Sequence, residues 1–171
     1  MLADVFVETV RKAAIDAMCC EFGSEEITPS LMHCLQYVYL RGDSPIREIA
    51  GGLGISLSAA SQLVDKLVKR GLATRRESED DRRLTQVGLT ECGSTVVKEM
   101  RERRSAWFES MIGAMPEARR KSFLEGLESF LRAALVSEDN IDRACVKCGL
   151  EHNTYCVISK LKAERGDAPK G

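Results

Sequence analysis

Between Ser44 and Leu89 the spacing of apolar residues follows a helical rule twice and then an alternating one, and few folds satisfy that order. Ile46, Ile49, Ala50 and Leu53 stand at i, i+3, i+4 and i+7, which predicts a short helix capped by Ser44, with Pro45 in its first turn. Gly54-Ile55-Ser56 then reads as a tight turn. Ser56 is a good N-cap for a second helix that buries Leu57, Ala60, Leu63, Val64, Leu67 and Val68, and Gly71 closes it in the left-handed conformation. Beyond Gly71 the period falls to two. Strands are expected at about 72–76 and 83–89, joined by the polar loop Glu77–Arg82; in the second, Thr85, Val87 and Leu89 alternate with Leu84, Gln86 and Gly88.

Helical periodicity flanks this unit on both sides. Leu2, Val5, Phe6, Val10, Ala13, Ala14 and Ala17 form one stripe. Leu31, Cys34, Leu35 and Val38 form another in a helix that begins at Thr28-Pro29 and ends at Gly42. After Thr90, Val96, Val97, Met100, Trp107, Phe108, Met111 and Ile112 mark one long helix. Phe123, Leu127, Phe130, Leu131, Ala134 and Leu135 mark a second one after Pro116. The 25 Lys and Arg nearly balance the 26 Asp and Glu, so the chain is neither a polycation nor an acidic tail, although a local basic patch is allowed. No apolar run approaches the roughly 18 residues of a membrane helix, and Asp4 and Glu8 break Leu2–Val10 as a signal peptide. A cytoplasmic protein with no membrane partner is expected.

Two helices joined by a glycine-containing turn and followed by a β-hairpin have the order of a winged helix-turn-helix. The outward face of the second helix carries Ser58, Ala59, Ser61, Gln62, Lys66 and Lys69. Small residues let a helix sink into a major groove, Gln pairs with adenine edges, and Ser bonds bases or phosphates. From Ser56 to Arg76 the basic residues Lys66, Lys69, Arg70, Arg75 and Arg76 outweigh Asp65, for a local charge of +4. An amphipathic helix with an ordinary solvated face would not need all of these together.

The arrangement resembles the MarR family of bacterial transcriptional regulators over roughly residues 1–137. The resemblance is carried by Ile46–Leu53, Gly54-Ile55-Ser56, the run from Val64 to Leu72, and Asp81-x-Arg83 followed by Leu89-Thr90. It implies a dimer whose first and last helices interlock while two winged domains project toward successive major grooves of duplex DNA. It further implies that Ser56–Arg70 is the recognition helix, that Arg83 is the wing arginine entering the minor groove, and that Asp81 orients it, with Arg82 beside them. The wing from Glu77 to Arg83 has a net charge of −2, more acidic than the family pattern, which weakens non-specific affinity and sharpens dependence on sequence and salt. A palindromic operator with half-sites about one helical turn apart follows from the two-fold arrangement. Trp107, Phe108, Phe123 and Phe130 are the expected anchors of the shared helical interface.

Cys145-x2-Cys148, His152 and Cys156 give four soft ligands within a short segment. A knuckle at Cys145–Cys148, relaxed by Gly149, with His152 and Cys156 on one helical face, makes a closed tetrahedral Cys3His set for zinc; an iron–sulfur cluster, a redox pair and incidental thiols are the alternatives. The extension has too few apolar residues to fold alone, so a metal would largely determine its structure. Cys19, Cys20, Cys34 and Cys92 read as buried small hydrophobes, with Cys19 or Cys20 as an oxidant sensor the sharper option. His33, beside Tyr37, is a candidate to line an effector pocket between the dimer and DNA-binding parts.

The expected architecture is therefore mainly α: an N-terminal dimerisation helix (1–27), a winged helix-turn-helix with a two-stranded wing (28–90), dimerisation helices (91–137), a Cys3His metal element (138–160) and a frayed tail (161–171). The expected function is a homodimeric, sequence-specific regulator, in all a repressor, with a small-molecule effector among its partners. A regulator whose metal or thiols are the signal is the alternative. A Cys/His enzyme is disfavoured, because no oxyanion-type glycine loop accompanies the thiols and four ligands leave no open catalytic position.

Overall fold

The computed structural model describes residues 1–18, 21–22, 25–77, 85–148 and 156–164. Helix α1 (Leu2–Met18) is followed by two short paired strands, β1 (Glu21–Phe22) and β2 (Glu25–Glu26), which the apolar pattern did not announce. Helix α2 (Pro29–Arg41) begins with Thr28, whose hydroxyl accepts the Leu31 N–H, and carries Pro at its first position. It is the most buried element: Leu31, Met32, Cys34, Leu35, Tyr37 and Val38 all face inward.

Ser44 does not cap the next helix. Ser44 and Pro45 form a short strand, β3, that pairs with Val87 and Gln86, and the Ser44 hydroxyl donates to the Gly42 carbonyl at 2.9 Å. Proline, lacking an N–H, is at home on such an edge strand. Helix α3 (Ile46–Leu53) starts one residue later without a side-chain cap and ends at Gly54 in the left-handed region (φ +66°). Helix α4 (Leu57–Lys69) has Ser56 as its cap, with the Ala59 N–H donating to the hydroxyl at 3.2 Å. Ala60, Val64 and Leu67 are buried as expected, but Leu57 is 58% exposed, because the first turn of α4 protrudes beyond the core.

Strands β4 (Ala73–Glu77) and β5 (Thr85–Leu89) pair antiparallel, and β3 on the other side of β5 makes the sheet three-stranded rather than two-stranded. The joint to the remaining helices is tight. Thr90 donates its hydroxyl to the Gly71 carbonyl at 2.7 Å, accepts the Gly93 N–H at 3.0 Å, and its own N–H reaches the Leu72 carbonyl. Helix α5 (Glu91–Gly113) therefore leaves the winged unit at a fixed point, and α6 (Glu117–Ala134) follows the turn at Pro116.

The C-terminal segment departs from expectation. Cys145 and Cys148 lie in the last turn of a helix, α7 (Glu138–Cys148), not in a knuckle, and α8 (Val157–Glu164) extends into the stretch expected to fray. Leu161 is 5% exposed, so apolar contact holds that turn in place. No helix among the described residues is long and apolar enough to cross a membrane.

A Cβ on Gly93 would stand 2.0 Å from the Leu72 carbonyl oxygen, whereas one on Gly51 would meet nothing within 4 Å. Gly93→Ala is expected to destabilise the fold by about 1–3 kcal/mol through overpacking, while Gly51→Ala is neutral or slightly stabilising; urea denaturation measures both.

Candidate nucleic-acid interface

Helix α4 presents its polar side outward because its aliphatic stripe is spent on α2 and α3. Ser56, Ser58, Gln62, Lys66 and Lys69 are exposed, and Ala59, Ser61 and Arg70 are partly covered. The Ser56 and Ser58 hydroxyls lie 3.0 Å apart at the start of the helix. Arg75 and Arg76 extend from β4 on the same unit. Arg75 is engaged within the chain: its guanidinium pairs with Asp65 at 2.9 Å and reaches the Ser61 hydroxyl and carbonyl at 3.4 and 3.5 Å. The sequence pattern grouped Arg75 with the phosphate contacts; the structure gives it the additional task of tying β4 to α4. Ile55 and Leu57, 36% and 58% exposed, add an apolar tip that the core assignment of Leu57 concealed. Asp81, Arg82 and Arg83 lie outside the described residues.

A cleft of about 270 Å³ opens beside α4, lined by Ser30, His33, Leu53, Ile55, Gln62 and Lys66 among others. His33 thus faces a cavity inside the winged unit, between α2 and α4, rather than one between that unit and the long helices. Only the assembled fold brings Ser30 and His33 to Gln62 and Lys66.

The long helices leave a second face open. Helix α6 has no buried residue, and Leu124 and Phe130 are 43% and 67% exposed, with Met111 on α5 and Val5 and Phe6 on α1 in like condition. Trp107 and Phe108 touch edge to face at 4.8 Å and are only partly covered.

Among the expected metal ligands, Cys145, Cys148 and Cys156 are described as free, partly buried thiols, and His152 and Gly149 lie outside the described residues. Cys145 and Cys156 pack on one small apolar cluster formed by Ile141, Ile158 and Leu161. Burial pushes the Cys145 thiol up, and the neighbouring Cys148 and Cys156 push it further, against the opposing pull of Lys162 and Arg41. Among the described residues no three His, Cys, Asp or Glu side chains converge on a single metal position. Arg104 of α5, which no local motif singled out, donates to the Cys148 carbonyl, and burial lowers its pKa against the pull of the Cys148 thiol.

Residues 27–85 match the MarR family. The chain is 28% identical over 91 residues to the transcriptional regulator MhqR of Bacillus subtilis, covering 53% of this chain and 63% of that protein. It is 42% identical over 53 residues to the transcriptional repressor MprA of Escherichia coli, covering 31% of this chain and 30% of the repressor. The chain thus spans less than two thirds of the length of these relatives, which are transcriptional regulators rather than enzymes. Among solved structures, Streptococcus pneumoniae FabT in complex with DNA has the same fold, with a TM-score of 0.62 at 20% identity over 78% of this chain and 92% of that one.

The other described cysteines divide. Cys34 is fully buried, as expected, and burial pushes its thiol up to about 12; Cys92 is exposed, because its position on α5 faces away from the core. An unfolded Cys34 loses its proton near the ordinary value of 9.0, while the folded one keeps it. Stability is therefore fully present below pH 9 and declines as pH rises toward about 12. Cys34→Val is expected to flatten that part of the decline in chemical denaturation, and a thiol reagent is expected to label Cys92 at once and Cys34 only on unfolding.

Proposed function

With a MarR family domain at residues 27–85 as the premise, we propose that this chain is a homodimeric transcriptional repressor that reads a palindromic DNA operator with α4 and its wing. The observation that carries this reading is the outward face of α4. Its exposed Ser58, Gln62, Lys66 and Lys69 stand on a helix whose other side is fixed in the core. Gln62 and Ser58 face base edges, Lys66, Lys69, Arg70 and Arg76 face phosphates, and Arg83, oriented by Asp81 and flanked by Arg82, enters the minor groove.

The dimer is supported by the uncovered apolar side of α6 together with α1 and α5, which one chain leaves in water. Two heads fixed on one dimer engage half-sites about one helical turn apart. A small-molecule effector that alters their spacing releases the operator, since two-point binding is lost when one head is misplaced. The C-terminal thiols complete the proposal as a zinc site, with Cys145, Cys148 and Cys156 as ligands and His152 as the fourth. An iron–sulfur cluster would announce itself by visible absorption, and elemental analysis separates the two.

Selection of duplexes from a random pool, followed by anisotropy titration and sedimentation, tests the regulator. The expected outcome is a palindromic site bound by a dimer. A monomer with no preference over random competitor overturns it. Gln62→Ala and Arg83→Ala are each expected to cost about 1–3 kcal/mol in operator binding with the dimer intact. Phe130→Glu is expected to shift sedimentation toward the monomer by placing a charge in the shared apolar face.

A further inference from the structure

The C-terminal pair of helices touches both working parts of the molecule. Helix α7 packs across α2 and α3. Its Val146 enters the main core, and the Arg143 guanidinium lies over Gly54, where a Cβ would meet it at 3.7 Å. Helix α8 packs on α6, where Glu164 accepts two hydrogen bonds from Arg132 at 2.8 and 3.0 Å and Lys160 stands 3.7 Å from Glu128. The two helices meet each other through Ile141, Ile158 and Leu161 and through Lys162 and Asp142 at 2.5 Å. The pair is therefore a brace from the helix-turn-helix to the uncovered long helix.

Three buried side chains are a meagre core for a segment of this length, and small elements of this kind are commonly stapled by a metal or disulfide. The three described thiols sit where a staple is needed. Cys145 and Cys148 share one face of the last turn of α7, and Cys156 immediately precedes α8. The surrounding cations Arg41, Arg104 and Lys162 offset the negative charge that three thiolates bring to one ion. The thiols neighbour one another without converging, so an ion gathering them draws the end of α7 toward the start of α8.

We infer that zinc held by Cys145, Cys148 and Cys156 locks α7 to α8 and so fixes the angle between the DNA-reading unit and α6, making operator affinity depend on metal loading. This rests on the regulator and metal readings above. The loaded brace holds the reading unit in its binding position, so less ordering remains for DNA to impose, and loading strengthens binding.

The full chain, stripped with chelator or loaded with zinc, is titrated against the selected duplex while hydrogen exchange is followed in α7 and α8. One zinc per chain, at least tenfold weaker binding on stripping, recovery on adding zinc, and zinc-dependent protection of both helices are expected. Cys148→Ser is expected to abolish the zinc response, and Cys92→Ser to keep it. Zinc uptake with unchanged operator affinity overturns the coupling and leaves both earlier readings standing. Absence of zinc uptake overturns the coupling together with the metal reading, while operator binding persists. Lack of any duplex preference in both states overturns the regulator reading and this inference with it.

Discussion

The arrangement of the molecule depends on one side chain at the junction of two elements. Thr90 closes the start of α5 with its hydroxyl oxygen and gives its proton to the carbonyl of Gly71, the residue that ends α4. Gly71 takes a positive φ of 69°, which lets the chain reverse there, and Gly93 lets the α5 backbone approach Leu72 without a Cβ between them. The end of the reading helix and the beginning of the long helix are thus one hydrogen-bonded unit. Whatever direction α5 takes, α4 is oriented with it.

The rest of the fold divides labour by burial. Helix α2 is enclosed on nearly every side and organises α3, α4, α5 and β5 around it. Helix α6 has the opposite character, amphipathic yet uncovered in the single chain. A helix of this kind gains little from its own sequence and needs a surface to bury its stripe. The same reasoning applies in miniature to α7 and α8, whose shared core is Ile141, Ile158 and Leu161.

Periodicity made most of this legible in advance. Helices α2 to α6 and the two long strands stand where apolar spacing put them, and the Ser56 and Gly71 caps are as read. The exceptions have physical causes. Ser44-Pro45 looks like a helix start, because Ser and Pro favour helix starts, yet its backbone is claimed by a strand some forty residues later in sequence, which local pattern does not reveal. Leu57 fits the buried stripe but lies at the end of the helix, beyond the reach of the core. Cys145 and Cys148 suggested a knuckle through their spacing alone, while the surrounding residues continue a helix. The ties of Arg75 to Asp65 and of Arg104 to Cys148 join distant parts of the chain and have no signature in spacing.

Ile55 and Leu57 give the reading helix an oily nose at the head of a polar flank. Ionic contacts weaken as salt rises, but the release of water from these two side chains does not. Any surface that covers them gains a contribution with a negative heat-capacity change, so binding through this end of the helix carries a calorimetric signature separate from that of its lysines.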